Sequence, residues 1–240
     1  MAAPRAVPAY PPPPNRRTRR TVLFVAIAIA VLGLVLFGLD SVGLLPSTGG
    51  YRLMFVGASV TEGYYASNAD HAYPADTIRD LEDRGVSVSP LVVAHAGSGT
   101  RQVLQWRLQG SPDAMVLQIA TNDFGKLTLA QYEANYRKIL TVLRALGPTA
   151  RLLCLGAWRD PDEVNRMGQS GADFNAVTKS MCTTFNGHFV NLAAVYLNPL
   201  NHGPKGHLTA YGRADQFHPN DRGHSEIAKL VVASLGQVPT

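Results

Sequence analysis

The chain has 240 residues, 46% of them hydrophobic and 16% charged, with a formal net charge of +5. That length and apolar content suit one sizeable globular domain plus an extension. Residues 1–20 hold five arginines and no acid, which leaves 17 basic and 17 acidic residues elsewhere. The basic excess therefore belongs to the tail, and without a basic stripe interleaved with aromatics in the body no nucleic-acid partner is expected.

Residues 1–20 form a Pro-rich tail ending in arginines, in which Pro11 to Pro14 can enter neither a helix nor a sheet ladder. Disorder or polyproline II is expected there. Thr21 to Leu39 follows without a charged residue. At 1.5 Å per residue, about 19 residues span about 29 Å, close to a hydrocarbon core of ~30 Å. Residues 21–39 are therefore read as one transmembrane helix, an uncleaved signal anchor. Arginines on its N-terminal side predict a cytoplasmic N-terminus and an extracytoplasmic body. The rival reading is a cleaved signal peptide, followed by secretion, but the apolar run exceeds the usual ~7–15 residues. Residues 40–50 are a Gly/Pro/Ser linker, and residues 51–240 form the folded domain.

From Tyr51 short apolar runs alternate with amphipathic stretches. Arg52–Val56 is the first strand candidate, ending at Gly57. Pro74–Asp83 suits a helix with Pro in its first turn. Leu91–Ala94 is a second strand, Thr100–Leu108 a second helix and Ala114–Ile119 a third strand. Leu129–Leu146 is the clearest helix. Its apolar residues recur every three or four positions, Thr128 and Gln131 offer a capping box, and Gly147-Pro148 ends it. Arg151–Leu155, a helix over 174–185, a strand over 189–192 and a final helix over 220–235 complete the pattern. Near-continuous apolar strands alternating with helices predict an α/β fold: a three-layer α/β/α sandwich around a five-stranded parallel sheet. Sites in such folds lie past the carboxyl ends of the strands.

Four segments carry candidate chemistry. Ser59, in Gly57-Ala58-Ser59-Val60-Thr61, directly follows strand one. It is a nucleophile if a base takes its proton, and otherwise a helix N-cap. Gly97 follows strand two, where glycine lets backbone N–H groups approach a ligand. Asn122, in Ala120-Thr121-Asn122-Asp123, follows strand three and is either an oxyanion donor or an Asx-turn. Asp215-Gln216-Phe217-His218-Pro219 places an acid three residues before a histidine. That spacing fits a carboxylate orienting an imidazole base.

Together these blocks resemble the SGNH hydrolases, also called the GDSL esterase and lipase family. The resemblance implies Ser59 as nucleophile, His218 as base and Asp215 as its partner. It implies an oxyanion hole built from the Ser59 and Gly97 amides and the Asn122 side chain. It further implies an SGNH/flavodoxin-like sheet, a carbohydrate, lipid or small acyl ester as substrate, and no metal or organic cofactor. Two positions depart from the family pattern. Ala58 replaces an Asp, and Ala120 replaces a Gly, whose added methyl is expected to narrow the pocket or shift the Asn122 loop.

The substrate-binding candidates are Asp123, His95 and Trp158. A wall formed by Trp158, Arg159 and Phe174 competes with ordinary surface packing. His224 is read as packing or surface. His202 and His207 near Asp215 could imitate a metal cluster, but their Gly- and Pro-rich loop argues against a metal site. Cys154 and Cys182 lack Cys-x-x-Cys spacing. They are either a disulfide outside the cytoplasm or two buried small hydrophobes. The expected activity is a membrane-anchored serine esterase. The alternatives are an O-acyltransferase of the same fold acting on a cell-envelope glycan, and a non-catalytic anchored binding module. The sequence assigns no oligomeric state.

Overall fold

A computed structural model describes residues 49–238. The tail, the apolar segment at 21–39 and the linker up to residue 48 lie outside the described residues. Among the described residues, no helix is long and apolar enough to cross a membrane.

The sheet is built from β1 (Tyr51–Gly57), β2 (Val88–Ala94), β3 (Ala114–Gln118), β4 (Arg151–Leu155) and β5 (His188–Val190). All five are parallel, in the order β2-β1-β3-β4-β5. This is the expected five-stranded sheet. The three central strands are covered on both faces, so they read as continuous apolar runs rather than as alternation. The β2 strand extends three residues earlier than its apolar run. It contains Pro90, which an edge strand tolerates because one row of its backbone groups needs no ladder partner.

Successive side chains on each strand point to opposite faces. On one face Met54, Val56, Met115, Leu117 and Leu152 pack under helices α4 (Leu129–Leu146) and α5 (Gly171–Thr184), through Tyr132, Tyr136, Leu140, Phe174 and Met181. On the other, Leu53, Phe55, Val116, Leu153 and Leu155 pack under α2 (Tyr73–Glu82) and α7 (Asp221–Leu235), through Tyr73, Leu81, Ile227 and Val231. The expected capping box of α4 is present, with the Gln131 amide on Thr128 Oγ1 and the Thr128 amide on Gln131 Oε1. Ser170 and Asp173 cap α5 in the same way. That box starts the helix three residues before the apolar pattern begins.

Short helices α1 (Ser59–Glu62), α3 (Thr100–Val103) and α6 (Ala193–Tyr196) and a small antiparallel hairpin, β6 (Leu208–Thr209) with β7 (Gly212–Arg213), complete the domain. The α3 helix is one turn rather than the expected Thr100–Leu108. Only Thr100 and Val103 of that turn are buried, and a short helix needs an apolar face packed against the core to persist.

Cys154 on β4 and Cys182 on α5 form a disulfide, with Cα atoms 6.1 Å apart. It closes a loop of 28 residues in sequence separation between sheet and helix. Constraining the unfolded chain over that length stabilises the fold by about 3 kcal/mol.

The chain runs from β1 out to β2, then crosses back to β3 on the other side of β1. That reversal opens a crevice above the carboxyl ends of β1 and β3, where Ser59 and Asn122 follow.

Candidate active site

Gly57 ends β1, and a side chain there would collide with Thr61 Oγ1 and the Gln118 carbonyl. The absence of a side chain lets the chain turn at once into α1. Ala58 is the N-cap of α1 and makes no side-chain cap, so Ser59 occupies the first helical turn instead of the capping position. The Ser59 hydroxyl is thereby free for another partner. It lies 2.9 Å from His218 Nε2, across 159 residues of sequence.

His218 is held from both sides. Its Nδ1 is 2.8 Å from Asp215 Oδ2, and the His218 and Phe217 amides donate to Asp215 Oδ1 at 2.8 and 2.9 Å. Burial opposes ionisation of Asp215, but the hydrogen bonds from the His218 amide and ring and from the Phe217 amide prevail. They hold its carboxyl below the usual range. An ionised carboxylate only accepts, so the hydrogen of neutral His218 sits on Nδ1. Nε2 is left as the acceptor facing the Ser59 hydroxyl.

Two loops carry the candidate oxyanion donors. Gly97 has φ of +77°, a left-handed conformation that glycine adopts without strain. Among the described residues, the Ser59 and Gly97 amides have no hydrogen-bond partner. Asn122 Nδ2 donates one proton to the Ser98 carbonyl at 3.0 Å, which ties the loop after β3 to the turn after β2 and leaves its second proton unengaged. Ala120 does not narrow this region as expected. It is fully buried, and its methyl belongs to the core beneath α4.

Two of the three substrate-binding candidates are placed elsewhere. Asp123 is buried. Both its oxygens accept the Thr100 amide, at 3.0 and 2.9 Å, and Thr100 Oγ1 donates to Oδ1. Burial raises its pKa, against the lowering effect of those bonds. It ties the loop of Asn122 to the segment that follows Gly97 and is buried between them. Trp158 is also fully buried, neither a substrate wall nor a surface residue. Its indole Nε1 donates to the Phe217 carbonyl at 2.6 Å, and its amide donates to Thr121 Oγ1 at 3.0 Å. It braces the loop of His218 against the loop of Asn122. Phe174 is buried in the core, whereas the Arg159 guanidinium lies over the Phe124 ring, 4.3 Å from its centroid. His95 is exposed, past β2, with its ring edge-on to Trp106 at 4.9 Å.

The other histidines sort by their partners. His202 uses its ring on the Phe217 and Tyr196 carbonyls, at 3.0 and 2.5 Å, so it too supports the loop of His218. His224 is fully buried rather than on the surface. Its Nδ1 accepts the Tyr73 amide at 3.3 Å and its Nε2 donates to the Tyr64 carbonyl at 3.1 Å. Burial brings its pKa down from 6.5 to about 4, so it is a neutral structural strut.

Sequence reading missed Glu62. Its carboxylate Oε2 accepts the Ala96 amide at 2.6 Å, and its carbonyl accepts the Tyr211 hydroxyl at 2.7 Å. Its position three residues after Ser59 was legible, but its partner on a separate loop was not. Tyr64 and Tyr65 beside His218, and Tyr211 stacked on Tyr64, were missed for the same reason.

A doubly wound α/β sheet carrying a hydrogen-bonded Ser-His-Asp chain at its carboxyl edge is the arrangement of a serine hydrolase. Residues 55–225 match the GDSL-like Lipase/Acylhydrolase family, and the chain belongs to that family. Among solved structures, it is similar to an acetylxylan esterase of Geobacillus stearothermophilus, with TM-score 0.61 and 20% identity, covering 79% of this chain and 96% of that one. It is similar to a carbohydrate esterase family 2 enzyme of Corynascus thermopiles (Myceliophthora fergusii), with TM-score 0.58 and 17% identity, over 80% and 69% of the two chains. It is also similar to phospholipase A1 of Streptomyces albidoflavus, with TM-score 0.55 and 17% identity, over 78% and 100%. At these identities the likeness is one of fold. No curated protein matches the sequence.

Proposed function

We propose that Ser59 is the nucleophile, His218 the general base and Asp215 the group that orients it. The observation that carries this reading is the continuous chain from Ser59 Oγ through both nitrogens of His218 to Asp215, at 2.9 and 2.8 Å. Ser59 Oγ attacks the ester carbonyl carbon while its proton passes to His218 Nε2. The carbonyl oxygen becomes an oxyanion, received by the Ser59 and Gly97 amides and the second Nδ2 proton of Asn122. As the tetrahedral intermediate collapses, the alcohol oxygen leaves with the proton from Nε2, and the acyl group stays on Ser59. Water, deprotonated by His218, then attacks the acyl-serine and releases the acid.

The substrate is an acyl ester of a carbohydrate, a lipid or a small alcohol. The acetylxylan esterase among the structures of similar fold favours the carbohydrate class. The body works outside the cytoplasm, held to the membrane by residues 21–39. The charge-free apolar run behind an arginine cluster supports that placement, and so does the Cys154–Cys182 disulfide, a bond that persists in oxidising compartments.

Hydrolysis of p-nitrophenyl acetate by the full chain tests the chemistry. Replacing Ser59 by Ala is expected to lower kcat by about 10⁴-fold or more. Equal turnover by both proteins would reject Ser59. Topology is tested by cell fractionation. The protein is expected to stay with membranes after a high-salt wash, with a C-terminal reporter accessible from outside. Recovery in the soluble fraction with a shortened N-terminus would favour cleavage instead.

A further inference from the structure

Three tyrosines gather on the His218 side of the site. The Tyr65 ring meets the His218 ring edge-on with centroids 5.2 Å apart, and Tyr64 lies 5.8 Å from the same ring. Tyr211, in the turn between β6 and β7, stacks on Tyr64 at 4.5 Å and anchors its hydroxyl on the Glu62 carbonyl. Tyr64 and Tyr65 are half-buried, and among the described residues their hydroxyls have no hydrogen-bond partner.

The backbone beneath them is unusual. Tyr65 has φ of +53°, a left-handed conformation that costs a bulky residue of order 1 kcal/mol. The surroundings enforce it from several directions. The Tyr64 carbonyl accepts from His224 Nε2, the Ser67 amide donates to Asp221 Oδ1 at 2.6 Å, and Ala66 between them is fully buried. Two side chains of α7 thus hold a short loop in the shape that sets an aromatic ring against His218. Strain retained by so many supports is found where a side chain has a task at a site.

Chemistry says which half of the substrate meets these rings. His218 returns its proton to the departing alcohol oxygen, so the alcohol half of the ester lies against His218 and the rings beside it. An aromatic face packs against the C–H face of a pyranose ring, and a free phenol hydroxyl can pair with a sugar hydroxyl. A lipid chain laid over those hydroxyls would strip their water and offer no hydrogen bond in return. We infer that Tyr64 and Tyr65 form a leaving-group subsite for a pyranose, with Tyr65 as a specificity-determining residue. The enzyme would then deacylate a sugar ring and not a long-chain lipid. This inference rests on the assignment of Ser59 and His218 above.

The test compares kcat/KM of the full chain on acetylated methyl xylopyranoside and on ethyl acetate. Tyr65→Asn removes the ring while suiting the left-handed backbone, so the fold is retained, which a thermal melt verifies. The ratio of sugar ester to ethyl acetate is expected to fall about tenfold in Tyr65→Asn, and by less in Tyr65→Phe, which keeps the ring. An unchanged ratio would overturn the subsite even though both esters are hydrolysed. So would a wild-type preference for p-nitrophenyl octanoate over the acetate that Tyr65→Asn abolishes, since the ring would then hold an acyl chain. Failure of wild-type protein to hydrolyse either acetate would instead reject the serine mechanism, and the subsite with it.

Discussion

The Glu62 carboxylate accepts the Ala96 amide at 2.6 Å, so the helix that carries Ser59 also holds the turn that carries Gly97. Ser59 and the turn of Gly97 are thereby set relative to each other by a single side chain. A charge-assisted hydrogen bond of this kind contributes about 1.5–3 kcal/mol. Glu62→Ala is expected to lower kcat on p-nitrophenyl acetate about tenfold with little change in KM, and Glu62→Gln, which keeps an acceptor, to restore most of it. A raised KM with kcat unchanged would show that Glu62 contacts substrate instead.

Trp158 acts on the other side of the site. Its indole N–H and the His202 ring both meet the Phe217 carbonyl, the residue before His218. Trp158→Phe keeps most of the buried ring and removes the donor. Leaving that carbonyl with one partner fewer is expected to cost about 1–2 kcal/mol in urea unfolding and to lower kcat several-fold. A variant as stable and as active as the parent would remove Trp158 from this role.

His224 makes stability depend on pH. Buried and neutral, it has a folded pKa of about 4 against 6.5 when exposed. Between those values the unfolded chain binds the proton and the folded one does not, so stability rises with pH across that window. Its contribution is fully present above 6.5, is lost progressively as pH falls, and is exhausted below about 4. The swing is about 3 kcal/mol. Urea unfolding followed from pH 7 to pH 4 should show this slope (roughly one proton taken up on unfolding), and His224→Gln should flatten it.

The disulfide makes a separate prediction. Cys154→Ser combined with Cys182→Ser should lower the unfolding free energy by about 3 kcal/mol while leaving the positions of Ser59 and His218 intact. Urea midpoints of the two proteins, read with p-nitrophenyl acetate turnover of the folded fraction, check both halves of that statement. A midpoint unchanged by the double substitution would show that the loop constraint contributes nothing.

Much of this architecture was legible because its signals are local. The period of three to four in Leu129–Leu146, with Thr128 before it and Gln131 in its first turn, defined α4 to the residue. The apolar runs of β1, β3 and β4 located the sheet, and three loops following strands converge because parallel strands share one carboxyl edge. Asp215 and His218 were legible from their spacing within one turn. The contacts that failed to show are those between segments far apart in sequence. Asp123 reads as a site residue because it adjoins Asn122, yet it turns inward to Thr100. Trp158 reads as a substrate-binding wall or as surface because a polar loop begins there, yet its indole lies buried between the loops of His218 and Asn122. The hairpin that presents Tyr211 has strands of two residues each, too short for any periodicity.

The central claim is that Ser59 is an activated nucleophile, and covalent capture tests it most directly. The full chain should react stoichiometrically with a fluorophosphonate probe, and peptide mapping should place the adduct on Ser59. Ser59→Ala should remain unlabelled, and His218→Ala should label far more slowly. Equal labelling of wild type and Ser59→Ala, or no labelling of a folded wild-type protein, would contradict the account.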